Sequence, residues 1–357
     1  MLLVRIPLIA LSCAAFAPPR ALPRARLLRA AADLDVVVVG SANHDLSCRV
    51  ASLPAEGETT QGSDFTTTFG GKGANQAVIA ARVGARVAMC AKVGRDAFGD
   101  EQIENFRANG VDDAAVLRAP SVPTGVAQIT VDDKGANTIV VVAGANGELS
   151  EEDIETCAAP LIARAKVVVV QNEVPPATSA AALRAARAAG ATGILNPAPA
   201  GGAAALQALA PLLPLADIIV PNEVELGQLA EAAAETDEEI GAACEQLIAK
   251  LSHDGTTLVV TAGARGAFVA RAGSPLTLVP TRALKKDQVV DTVGAGDAFV
   301  GAFASYLARG ASLDEAVRRG CLVASLSVQN RGAQASYPDR AALDDELRLP
   351  ADGAPLL

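Results

Sequence analysis

The chain has 357 residues, half of them hydrophobic and a fifth charged, with a net charge of −10. That length can bury a large core, as one big α/β unit or as two domains. An acidic chain whose body has no Lys/Arg cluster interleaved with aromatics excludes nucleic acid and points to a small substrate. The two histidines, His44 and His253, leave little material for a His-based zinc site or a Ser/His/Asp triad and read as ordinary surface or pocket residues.

Residues 1–32 differ in kind from the rest. Arg5, Arg20, Arg24, Arg26 and Arg29 fall there with no acid, and Asp33 is the first carboxylate. The apolar run Ile6 to Ala17 is too short to span a bilayer, so the stretch predicts a targeting leader without stable membrane association. Ala14-Ala15-Phe16-Ala17-Pro18 resembles the bipartite leaders of algae with complex plastids, which implies a plastid; a mitochondrial or secretory leader and a cytoplasmic location are the alternatives. Cysteines at 13, 48, 90, 157, 244 and 321 form no close pair and predict reduced, packed thiols.

The body opens with Asp35-Val36-Val37-Val38-Val39-Gly40, a continuous apolar run of the kind a strand buried on both faces requires. Similar runs follow at Lys166 to Gln171, Gly193 to Asn196, Asp217 to Val220 and Leu258 to Thr261. Between them lie segments of helical period, such as Ala74 to Val83, Ala177 to Ala189, Asp237 to Leu251 and Leu313 to Val328. This alternation predicts a three-layer α/β/α core on a mostly parallel, doubly wound sheet. Leu46 to Phe69 and Thr124 to Val142 break it with Thr/Val/Ile-rich stretches and turn signals, and predict a small β-sheet lid. The reading divides the chain into a leader over 1–32, one domain over 33–345 and a tail over 346–357.

Ligands of open α/β sheets bind outside the carboxyl ends of the strands, where several polar motifs fall. Asn43 and Asp45 follow the first strand; a carboxylate beside an amide can grip two sugar hydroxyls, and a capped turn has the same sequence. Gly70-Gly71-Lys72-Gly73-Ala74-Asn75-Gln76 opens a helix, with glycines that let the backbone approach a ligand and Asn75 in the first turn. Glu173 ends one strand, and Pro221-Asn222-Glu223-Val224-Glu225 follows another. Such acids can hold Mg²⁺ through its waters, or simply start a helix. Thr261-Ala262-Gly263-Ala264-Arg265-Gly266 suits a nucleotide or a plain hairpin.

The most telling stretch is Asp291-Thr292-Val293-Gly294-Ala295-Gly296-Asp297, which opens an apolar helix running to about Arg309. Gly294 and Gly296 can take backbone angles closed to other residues, so the N–H groups from Gly294 through Ala295 and Gly296 to Asp297 can form an anion site. Asp297 at its rim is placed to accept a proton from an attacking hydroxyl. A tight turn with an acidic helix start reads the same way, and the stretch matches neither the Gly-x4-Gly-Lys-Ser/Thr loop nor the Rossmann pattern.

Together these motifs resemble the ribokinase family of sugar kinases, over about Val36 to Pro338. Gly-Gly-Lys-Gly-Ala-Asn and Asp-Thr-x-x-Ala-Gly-Asp carry the resemblance, with Gly40-Ser41-x-Asn43-x-Asp45, Pro54-x-x-Gly57-Glu58-Thr59, Ala143-Gly144-Ala145-Asn146, Asn196-Pro197-Ala198-Pro199 and Gly332-Ala333-Gln334 between. It implies ATP-dependent phosphorylation of D-ribose at the 5-hydroxyl, with Asp297 as general base and Asn43, Asp45, Gly71 to Asn75 and Glu173 on the sugar. It places nucleotide contacts on Asn222, Thr261 to Gly266, Gly296 and Cys321, the last departing from the family's usual His or Asn, and links Glu225 to Mg²⁺ and phosphate. It implies a K⁺ loop of Asp291, Val293, Ser327, Asn330, Gly332 and Ser336, a nine-stranded core, and a homodimer in which two lids clasp. A deoxyribokinase, a fructokinase, a nucleoside kinase or a non-catalytic sugar sensor are the rival readings.

Overall fold

The computed structural model describes residues 34–251 and 255–343; the expected leader over 1–32, His253 and the tail over 346–357 lie outside them. The chain enters as β1 (Leu34–Val39), departs as β2 (Asn43–Val50) and β3 (Gly62–Gly70), and returns as α1 (Lys72–Arg82), β4 (Val87–Val93), α2 (Ala97–Ala108) and β5 (Val111–Arg118). It leaves again as β6 (Gly125–Asp132) and β7 (Asn137–Val142). The short helices α3 (Glu151–Asp153) and α4 (Ala159–Ile162) then lead to β8 (Ala165–Val170). There follow α5 (Pro176–Ala189), β9 (Thr192–Leu195), α6 (Ala203–Leu209), β10 (Ile218–Ile219), α7 (Glu223–Ala230) and α8 (Asp237–Lys250). The remainder is β11 (Thr257–Thr261), β12 (Ala267–Arg271), β13 (Thr277–Val279), α9 (Ala295–Ala308) and α10 (Leu313–Ser327).

The main sheet has nine strands in the order β13-β12-β11-β10-β9-β8-β1-β4-β5. From β5 to β11 all neighbours run parallel, and β12 is antiparallel to both of its own. The valine run explains the central place of β1: every residue is buried, and alternate side chains feed opposite faces. Val36 and Val38 belong to the core layer built with α1, α9 and α10, while Val37 and Val39 belong to the opposite layer with α4, α5 and α8. The second sheet, β3-β2-β6-β7, takes both excursions from the core, so β2 begins at Asn43, slightly ahead of the expected lid boundary.

Two differences from the sequence reading have local causes. The strand expected over Asp217 to Val220 is regular only over Ile218–Ile219, although Asp217 N–H still donates to the Gly193 carbonyl (2.9 Å) and Val220 N–H to the Leu195 carbonyl (2.8 Å); Pro221, which has no N–H, ends it. Between Val87 and Arg118 lie β4, α2 and β5, which that reading left unassigned. Here β5 has two acids, Asp112 and Asp113, directly after its first residue, and α2 carries Asp100, Glu101 and Glu104 among its apolar positions, so neither presents a continuous apolar run.

Candidate active site

The expected residues gather at the carboxyl ends of the parallel strands. Asn43 and Asp45, two apart on β2, share one face of that strand. Asn43 is fixed by Asn146, whose Nδ2 donates to its Oδ1 (2.6 Å) while the Asn146 Oδ1 accepts from Ala42 N–H (2.9 Å). Two glycines make the room. A Cβ on Gly125 would stand 2.3 Å from Asn43 Oδ1, and one on Gly70 would stand 2.2 Å from an Asp45 carboxylate oxygen.

The loop after β1 receives the start of α1 at close range. Gly71 has a φ of 87° and Gly73 would drive a Cβ to 2.7 Å from Ser41 N, so neither position admits a side chain. Glu173 joins the two from below: its Oε2 accepts from Ser41 Oγ (2.5 Å) and from the Lys72 backbone N–H (2.9 Å). Burial, together with the charges of Glu173 and Asp297, pushes the Asp45 carboxyl up to about 7. Asp297, Glu173 and Glu225 together hold the Lys72 ammonium above its usual range against the opposing effect of burial.

Asp297 lies buried in the first turn of α9, with two amides on its carboxylate. Asn75 Nδ2 donates to Oδ2 (3.0 Å) and Gln76 Nε2 to Oδ1 (2.9 Å). Both donors are held in turn: Asn75 Oδ1 accepts from Gln334 Nε2 (3.0 Å), and Gln76 Oε1 from Gln171 Nε2 (2.7 Å). A carboxylate has about four acceptor positions, so Asp297 keeps lone pairs beyond those its two amide donors occupy. Asn75, expected on the sugar, thus faces Asp297. Gln76, Gln334, Asn146 and Ser41 were not among the expected site residues, although each stands inside a motif already quoted.

The two glycines before Asp297 differ. Gly294 is left-handed, with φ 76°, and Tyr337 Oη donates to its carbonyl (3.1 Å). Gly296 is an ordinary helical residue of α9, contrary to the expected special backbone angle; its Cβ would meet nothing within 4 Å. What matters at this position is the space above the helix N-terminus. Next to it opens a cavity of about 550 Å³ whose wall includes Asn222, Thr261, Gly263, Ala264, Gly266, Gly296 and Cys321, while Ala262, Arg265 and Glu225 do not line it. Burial pushes the Cys321 thiol up to about 12, so it meets that cavity as a neutral wall atom.

Asn222 and Glu225 cap α7 reciprocally: Asn222 Oδ1 accepts from Glu225 N–H (2.8 Å) and Glu225 Oε2 from Asn222 N–H (2.9 Å). Burial raises the Glu225 carboxyl, opposed by its bond to Asn222 and by Lys72. At the far side, Asp291 links the loop before α9 to the segment after α10, its Oδ1 accepting from Val293 N–H (3.0 Å) and its Oδ2 from Gly332 N–H (2.8 Å). Ser327 is buried at the end of α10, Asn330 donates its N–H to the Ser327 carbonyl (3.2 Å), and Ser336 Oγ donates to the Ala333 carbonyl (2.8 Å).

The pfkB family carbohydrate kinase profile matches residues 33–340. The chain is 42% identical over 310 residues to a ribokinase of Mus musculus, covering 85% of this chain and 91% of that one. It is 35% identical over 316 residues to a deoxyribokinase of Salmonella typhi, covering 88% and 99%. The structure of Arabidopsis thaliana ribokinase complexed with ribose and ATP superposes with a TM-score of 0.78 at 32% identity, covering 89% of this chain and 99% of that one.

Proposed function

This chain belongs to the pfkB family of carbohydrate kinases, and we infer that it is a ribokinase, transferring the γ-phosphoryl group of ATP to the 5-hydroxyl of D-ribose. The observation that carries this reading is a buried Asp297 held by two amides, beside Asp45 on one side and the cavity of the expected nucleotide residues on the other. Asn43 and Asp45 fix the sugar hydroxyls, and Glu173 and Gly71 to Gly73 shape the floor. Asp297 takes the proton as the hydroxyl attacks, and the N–H groups at the start of α9 absorb charge on the transferring phosphoryl group. Lys72, drawn in by three carboxylates, adds positive charge on the same side. The test is MgATP-dependent phosphorylation of ribose, 2-deoxyribose, fructose and adenosine. Ribose is expected to give the highest kcat/KM; a clear preference for 2-deoxyribose would move the assignment to the deoxyribokinase relatives.

Among the described residues no three His, Cys, Asp or Glu side chains converge on one point. Glu225 therefore fits Mg²⁺ as a single outer carboxylate, the ion keeping waters and the nucleotide's phosphates, where it would neutralise phosphate charge. For K⁺, the donor set of Asp291 with Val293, Ser327, Asn330, Gly332 and Ser336 fits in kind: one carboxylate already joins the two loops. A large monovalent ion there would hold the Gly294 to Asp297 amides from outside the site. Ribose phosphorylation at fixed ionic strength is expected to be faster in KCl than in NaCl or tetramethylammonium chloride, with the K⁺ response lost in Asp291→Ala. Equal rates in all three salts would reject the cation.

Asp45 gives a pH prediction. Sugar hydroxyls donating to a carboxylate favour its ionised form, so ribose binding lowers a pKa that burial and like charges hold at about 7. Titration calorimetry at pH 7 in buffers of different ionisation enthalpy is expected to show release of about half a proton, absent at pH 9 and in Asp45→Asn. In the free protein the sign is the reverse of a salt-bridged acid: raised from 3.8 to about 7, Asp45 binds its proton more tightly when folded, and its burial costs stability as pH rises through that window.

The lid suits a homodimer. β7 is an edge strand whose Ile139, Val140, Val141 and Val142 are exposed by 53–60%, near the same fraction as Phe65 on β3. Such an edge is normally blunted or covered, and a second lid would cover it. The Arg-rich, acid-free leader supports plastid delivery, which a fusion of residues 1–32 to a fluorescent protein would test.

A further inference from the structure

His44 stands between the two residues assigned to the sugar, and strand alternation sends its side chain to the opposite face of β2. There it is 2% exposed, stacked on Phe98 of α2 (centroids 4.5 Å apart, 19° between planes) and edge-on to Phe69 of β3 (5.2 Å). Its Nε2 lies 3.0 Å from a carboxylate oxygen of Glu101, while its Nδ1 has no hydrogen-bond partner among the described residues. Gln102 Nε2 donates to the Asn43 carbonyl (2.5 Å). Phe98, Glu101 and Gln102 are spaced i, i+3, i+4, so one face of α2 grips the strand at the point where it leaves the core for the lid.

The same helix holds the second root of the lid. Asp96, the N-cap of α2, accepts from Thr124 N–H (2.8 Å) and Thr124 Oγ1 (2.6 Å), immediately before β6, the strand paired with β2. The start of α2 is thus an anchor for both outward crossings, into β2 and into β6. Burial pushes the imidazole below its ordinary value, opposed by Glu101 and, more weakly, Asp96; the other neighbours of the ring, Phe69 and Phe98, are apolar. A neutral ring can donate its Nε2–H to Glu101, leaving only the Nδ1 lone pair without a partner among the described residues.

We propose that His44 is a positioning residue of the sugar site: clasped to Glu101, it fixes the strand from which Asn43 and Asp45 reach the sugar. The claim rests on the ribose-kinase reading and adds a residue that touches neither substrate. Losing a bond to a charged partner at the root of β2 lets the two sugar ligands wander. Sugar affinity then falls, while Asp297 and the nucleotide cavity, built on α1, α9 and the far strands, keep their geometry.

The test compares His44→Leu, His44→Gln and Glu101→Ala by steady-state kinetics and thermal melting. His44→Leu fits an apolar slot and is expected to raise KM for ribose about tenfold, with kcat and KM for ATP within about twofold. His44→Gln, whose amide nitrogen can occupy the place of Nε2, is expected to recover most of that loss. Glu101 is half exposed, so Glu101→Ala leaves the fold intact and is expected to raise ribose KM severalfold in the same selective way. Adding it to His44→Leu should do no further harm. Unchanged ribose KM in both His44→Leu and Glu101→Ala, or a parallel loss of kcat, both KM values and melting temperature without rescue by Gln, overturns the proposal. A parent enzyme that fails to phosphorylate ribose overturns the functional reading instead.

Discussion

Asp297→Asn is expected to bind ribose within a few-fold of the parent and to lose about 10²–10⁴-fold in kcat, the usual contribution of a positioned general base. The side chain keeps its shape but gives up the lone pair that takes the proton. The surroundings add a second expectation. In the parent both carboxylate oxygens accept, from Asn75 Nδ2 and Gln76 Nε2, and neither donor can turn round freely, because Gln334 and Gln171 occupy their carbonyl oxygens. An Asn at 297 therefore points one N–H₂ at another, and the buried mismatch should cost about 1–3 kcal/mol of stability. A third readout separates charge from geometry. Asp297 helps to raise Asp45, so in Asp297→Asn the Asp45 pKa falls and less proton should be released when ribose binds at pH 7. Turnover near the parental value would remove Asp297 from the chemistry whatever the melting temperature does.

Gly296→Ala should separate activity from stability in the opposite way. The residue is helical, and an added Cβ meets no atom within 4 Å, so alanine fits and should leave the melting temperature unchanged or raised. The methyl group would, however, stand at the mouth of the α9 N-terminus, on the wall shared with the cavity of the expected nucleotide residues. Removing a single oxyanion donor costs about 10²–10³-fold, and a group that keeps the phosphoryl oxygens away from these N–H groups should cost at least as much in kcat. Gly294→Ala serves as the contrast. With φ 76° and a Cβ 2.8 Å from Ala333, it should lose stability and activity together. A Gly296→Ala enzyme with normal turnover would show that phosphate does not sit at this helix start.

The alternation of strands and helices, the lid strands, and the clustering of polar motifs at strand ends were legible in the chain because each depends on residues within a few positions of one another. The Asn222–Glu225 helix start and the valine run of β1 are signals of this kind. The sugar-kinase motifs were equally local, and they pointed to the family and to Asp297 without any knowledge of strand order. The strand read over Asp217 to Val220 is regular only at Ile218–Ile219, with its ends still bonded to the neighbouring strands.

Other features appear only when distant parts of the chain meet. The donors to Asp297 lie 222 and 221 positions away from it, and no spacing rule reaches so far. Gly294 and Gly296 look alike in the sequence, yet Ala333 and Tyr337 pack on the first, while the second opens onto empty space. His44 read as an ordinary histidine until α2 brought Phe98 and Glu101 against it. Sequence by itself therefore determined most of the elements, the motifs and the family, through backbone preferences and side-chain periodicity that act over a turn or a strand. The tertiary structure alone decided which amide faces which carboxylate, because such contacts are set by how the layers pack.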